Sequence, residues 1–235
     1  GGMHHLAFAV EVGVDFLSTP FDKSAVDFLE NLGVEFYKIA SFELVDIPLI
    51  EYVASKGKPI VMSCGMGSIE EIEEALAACK RQHNENVILL KCCSQYPAQF
   101  EDMNVSVIPD MQKRFKKPIG LSDHSFGSLA PVVAVSMGAK VIGVSEQSYS
   151  IQGKDQPIFE GKYVMNDEEW KLLTDGLNKL GQIAKDKGMT LTFHHHMGTV
   201  VQTEEEIDKF MELTDPELVF LLFDSGHLSF AGINP

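Results

Sequence analysis

A chain of 235 residues, 45% hydrophobic and 23% charged, is long and apolar enough to bury one large core. Thirty-four acidic against nineteen basic side chains leave a formal charge of −15, which argues against nucleic acid and anionic membrane as partners, since both demand basic patches. No apolar run approaches the ~20 residues of a membrane span, and the start, GGMHH, lacks the basic and apolar parts of a secretory leader. A cytoplasmic location is therefore expected, with a small molecule as the only partner. Cys64, Cys79, Cys92 and Cys93 show no zinc-ribbon spacing and are expected to be reduced, buried thiols.

Taken in order, residues 3–12 read as a helix stopped by Gly13, and Asp15–Thr19 as a first strand ended by Pro20. Ser24–Asn31 is helical up to Gly33, and Phe36–Ser41 is the second strand. A helix over Pro48–Ser55 leads to the third strand, Pro59–Cys64. Ser68 caps IEEIEEALAACKR, whose apolar positions recur at helical spacing, and Val87–Cys93 is the fourth strand. Val105–Phe115 is expected as one helix, followed by a strand at Ile119–Ser122, a helix at Leu129–Met137 and a strand at Lys140–Glu146. After a long loop, Asp167 is the expected cap of a helix closed by Gly188. LTFHHH is the seventh strand; Thr203 caps an acidic helix start, and Leu218–Phe223 is a strand buried on both faces.

Eight strands alternating with eight helices predict an α/β fold, an eight-stranded parallel (β/α)8 barrel of the TIM type in one domain, 1–235. The helix at 3–12 precedes its strand, so it must close the seam between the eighth and first strands. In such a barrel chemistry gathers at the C-terminal ends of the strands. Strand alternation puts His194 and His196 on one face and His195 on the other, with Asp224 and His227 at the end of the next strand. For any one of these histidines a satisfied core position competes with a ligand role. Lys91, inside an apolar strand, is expected to pair with a carboxylate such as Glu146 or Asp123, because an unpaired buried ammonium is costly. Cys92 and Cys93 point to opposite faces and read as packing.

Two families are echoed in the chain. FLSTPFD, YKIASFEL, SCGM, ILLKCCSQYP, IGLSDHS and LAPVVAVSMGAKVI, within residues 14–142, resemble the sialic acid synthases. VSEQ, SIQGKDQPIFEGK, HHHMGT, VQTEEEID and LLFDSGH, within 143–235, resemble the myo-inosose dehydratases, a branch of the xylose-isomerase-like barrels. The first resemblance implies a phosphoenolpyruvate site using Lys91, Ser94, Tyr96 and Ser122, with His124 as a metal ligand. The second implies Glu146, His194 and His227 as catalytic groups, and His196 and Asp224 as metal ligands. A divalent ion, Mn, Co or Zn, suits this donor set. Each resemblance covers only part of a family's site. The expectation is an engineered recombination of two barrels that binds a metal or small anion weakly without native turnover. The alternatives are a metal-dependent lyase acting on an inosose, and residual phosphoenolpyruvate-dependent synthase activity.

Overall fold

Short apolar runs, each followed by a helix that covers it, pair in chain order to build one sheet. The computed structural model describes residues 18–152, 154–157, 160–222 and 224. Its strands are β1 (Tyr37–Ile39), β2 (Ile60–Ser63), β3 (Val87–Cys92), β4 (Ile119–Ser122), β5 (Val141–Val144), β6 (Thr190–His194) and β7 (Phe220–Leu222). They lie in the order β1 to β7, every neighbouring pair parallel. The sheet curls into a half-barrel. The helices are α1 (Lys23–Leu32), α2 (Ile47–Ala54), α3 (Ile69–Arg81), α4 (Phe100–Met103), α5 (Ile108–Phe115), α6 (Leu129–Ser136), α7 (Asp167–Asp186) and α8 (Glu204–Leu213). Among the described residues none is long and apolar enough to cross a membrane.

The eight-strand expectation is corrected to seven strands among the described residues. Of the expected first strand only Ser18 and Thr19 are described. Ser18 forms a lone parallel bridge with Tyr37, its carbonyl accepting from Lys38 N at 3.1 Å, so one ladder step occupies the position before β1. The seam helix at 3–12 lies outside the described residues.

Two helix expectations also change. The cap of α7 is Asn166, not Asp167: Asn166 Oδ1 accepts from Glu169 N at 3.0 Å and Glu169 Oε2 accepts from Asn166 N at 2.9 Å. That reciprocal box needs a spacing of three, which the pair 166/169 supplies. The single helix over Val105–Phe115 splits into a 3-10 turn, Val105–Val107, and α5, after the uncalled α4. Asn104 ends α4 in the left-handed region at φ 41°, and Pro109, which lacks an N–H, is tolerated only in the first turn of α5.

The helix-facing side of the sheet carries the main core, with Tyr37, Ile39, Ile60, Leu89, Ile119 and Phe193 buried against the helices. Phe193 stacks on Phe210 of α8 with ring centroids 4.2 Å apart. The concave side is different. Its lower half is apolar, where Val61, Ile88, Leu90, Val141 and Leu222 line a cavity of about 290 Å³. Its upper half is polar.

Candidate functional site at the mouth of the half-barrel

The polarity of the upper concave side follows from register. Lys38 pairs with Val61, which lines the cavity, so strand alternation sends Lys38 inward. The same rule turns Ser63, Cys92, Ser122 and His194 inward above the apolar layer. Thr19, one residue after the bridged Ser18, falls on the side of Lys38.

Three of these groups are buried donors in search of an acceptor. Lys38 is 4% exposed, and among the described residues its ammonium makes no hydrogen bond. Burial holds its pKa below the ordinary lysine value, while Asp224, Cys92 and Glu43 pull it partly back. The hydroxyls of Thr19 and Ser63 are buried and likewise without a hydrogen-bond partner among the described residues. A buried hydroxyl without a partner costs ~1–3 kcal/mol, so a cation and two such hydroxyls on one face form a cradle for an anionic oxygen. Glu43, in the 3-10 turn Phe42–Val45 after β1, has a buried Oε2 without a hydrogen-bond partner among the described residues. Its desolvation raises its pKa.

A second cluster stands beside this cradle. The rings of His194 and His196 lie 4.0 Å apart, as alternation requires, and His124 meets His196 edge-on at 5.7 Å. Tyr96, before the cis Tyr96–Pro97 bond, stacks on His124 at 4.1 Å and approaches His196 at 5.3 Å. Burial raises the Tyr96 pKa. His194 Nε2 faces Asp224 Oδ2 at 3.3 Å, and His195 Nε2 accepts from Asp224 N at 3.0 Å. His124 Nδ1 sits 2.8 Å from the carbonyl of Cys93 and 4.0 Å from Cys92 Sγ. His227 lies outside the described residues.

Other expected site residues fall elsewhere. Lys91 pairs with neither Glu146 nor Asp123: it alternates to the helix side and donates to the Cys92 carbonyl at 2.8 Å. Asp123 instead accepts from Ser125 N and Oγ at 3.0 and 2.7 Å, and its burial raises its pKa. Glu146 accepts from Ser148 N at 2.6 Å and lines a groove on the outer surface, not the mouth. Ser94 does approach the mouth, because its Oγ, Ser41 Oγ and Cys92 Sγ crowd Gly65, where an added Cβ would meet them at 2.7, 2.9 and 3.2 Å. Cys64 is inert, its thiol pushed up to about 12 by burial.

The metal that the donor set suggests would draw on His124, His196 and Asp224. Among the described residues no group of three or more His, Cys, Asp or Glu is arranged to hold an ion.

The profile of the NeuB family matches residues 4–189. The chain belongs to the NeuB family. Among solved members of similar type, N-acetylneuraminic acid synthetase from Leptospira borgpetersenii, in complex with citrate, is 40% identical over 53% of this chain and 43% of its own, with a TM-score of 0.51. The spore coat polysaccharide biosynthesis protein SpsE of Bacillus subtilis is 32% identical over 79% of this chain and 51% of its own, with a TM-score of 0.63. A second kinship sits inside the same chain. Inosose dehydratase of Clostridium perfringens is 70% identical over 98 residues, 41% of this chain. The chain spans about a third of the length of that relative, 33%. The NeuB resemblance brings attention to Lys91, yet the inward residue of that type is Lys38, inside YKIAS. In the sequence Lys38 carries the same signal as Lys91, a lone lysine inside an apolar strand, and the register separates them.

Proposed function

We propose that this NeuB-family half-barrel binds a small anion bearing carboxylate or phosphate, such as phosphoenolpyruvate, on its concave face. Lys38, Thr19 and Ser63 supply the donors. The observation that carries this is the buried lysine Lys38, turned to the same inward face as the buried hydroxyls of Thr19 and Ser63, which have no hydrogen-bond partner among the described residues. Fixed donors that need no reorganisation are what an oxyanion requires. That a similar synthetase is described in complex with citrate, a carboxylate, supports the same ligand class.

In this reading the chain joins a synthase-type anion site to a dehydratase-type histidine cluster and turns over neither parent's substrate. Glu43 is placed near the anion cradle, where its raised pKa suits proton exchange with a ligand hydroxyl, but His194 and Asp224 are engaged with each other. Two coupled assays test this: condensation of phosphoenolpyruvate with an N-acetyl sugar, and dehydration of an inosose. The expected outcome is binding of phosphoenolpyruvate, seen as a raised melting temperature, with no turnover in either assay. Turnover in either overturns the inactive reading; absence of any binding overturns the anion site.

A further inference from the structure

Helix α7 carries two stripes, and only one of them is used. Trp170, Thr174, Leu177, Gly181 and Ala184, spaced four, three, four and three, are buried against the sheet. A second set with the same kind of spacing, Glu169, Leu172, Gly176, Lys179 and Ile183, lines the outer groove beside α6. This groove is about 680 Å³, floored by Val144, Phe193 and Val200. Leu172 is 76% exposed and Ile183 57%. Such four–three spacing is the seam that a helix presents to another helix.

The stripe is a palindrome in chemistry. Turned antiparallel about Thr174, Glu169 falls opposite Lys179 and Leu172 opposite Gly176. An anion meets a cation, and the most exposed leucine among the described residues meets a glycine beside which an added Cβ finds nothing within 4 Å. A two-fold contact demands this, because each residue must suit its mate while that mate suits it. We infer that α7 docks antiparallel on α7 of a second copy of this chain, with Leu172 of each seated over Gly176 of the other. The partner's Leu172 and Ile183 fill the groove that α6 and α7 leave open. One pair of crossed helices is a small contact, so the dimer is weak and appears as concentration rises.

Sedimentation equilibrium of the full chain over a wide concentration range tests this. A monomer–dimer equilibrium is expected, and Gly176→Leu is expected to abolish it without lowering the melting temperature of the single copy. Lys179→Glu sets like charges at both crossings and is expected to weaken self-association about tenfold or more. Glu169→Lys does the same while losing the cap, so its fold is checked by circular dichroism. An equimolar mixture of the Lys179→Glu and Glu169→Lys chains restores both pairs, so mixed dimers are expected where neither variant dimerises alone. A chain that stays monomeric at every concentration overturns the inference, as does a dimer indifferent to Gly176→Leu or a mixture that shows no mixed species.

Discussion

The sector built by β1 to β4 and the junction between α6 and α7 meet the same problem, covering a parallel sheet, with different success. In the first sector neighbouring helices close over the strands and are laced together. Lys56, just past the end of α2, pairs with Asp27 of α1 at 2.9 Å, and Arg81 of α3 with Glu51 of α2 at 2.6 Å. Between α6 and α7 no ion pair or hydrogen bond occurs among the described residues, and the open groove takes the place of packing. Packing to native density needs side chains fitted to each other, and across this groove that fit is missing.

The sharpest way to break this contrast uses two glycines of α7. An added Cβ at Gly181 would lie 2.3 Å from the backbone oxygen of Leu218. Gly181→Ala is expected to cost ~2–4 kcal/mol by forcing helix and β7 apart, read by chemical unfolding. A neutral result would show that this side of α7 is as loose as the groove.

A middle-sized effect is expected at the concave face. Lys38→Met removes a poorly compensated buried charge and should raise stability at neutral pH by ~1–2 kcal/mol. The sign follows from linkage. Burial lowers the folded-state pKa of Lys38, so between that value and 10.5 the unfolded chain holds more protons and stability rises with pH. Unfolding at several pH values should show that rise in the parent and lose it in the variant. Loss of stability on substitution would mean that Asp224 and Glu43 need the cation more than the fold is burdened by it.

The smallest effect sharpens the other side of the comparison. Gly176→Ala meets open space and should gain up to ~1 kcal/mol from helix propensity, measured in dilute solution where single copies dominate. The two substitutions on one helix, five residues apart, thus move stability in opposite directions.

Much of this architecture is legible in the residues. Ser68 and Glu71 announce α3, whose bounds Ile69–Arg81 match its apolar spacing, and Ile119–Ser122 is β4 to the residue. Alternation places His194 and His196 together. Where local signals compete the residues mislead. Asn166 and Asp167 are both good caps, and only the reach of Glu169 selects the first. Lys91 and Lys38 are both lysines inside apolar strands, and only the register between strands, a long-range fact, says which one faces inward. The groove is likewise invisible in sequence, because Leu172 and Ile183 look like any core stripe until the neighbouring helix is seen to stand off.

The most direct test of the concave anion site sets those two lysines against each other. Calorimetric titration with phosphoenolpyruvate compares the parent chain with Lys38→Met and Lys91→Met. A charged hydrogen bond is worth ~1.5–3 kcal/mol, so Lys38→Met is predicted to weaken binding by about ten- to a hundredfold, with Lys91→Met close to the parent. Loss of binding in Lys91→Met with Lys38→Met unaffected would contradict the assignment and move the site to the other side of the sheet.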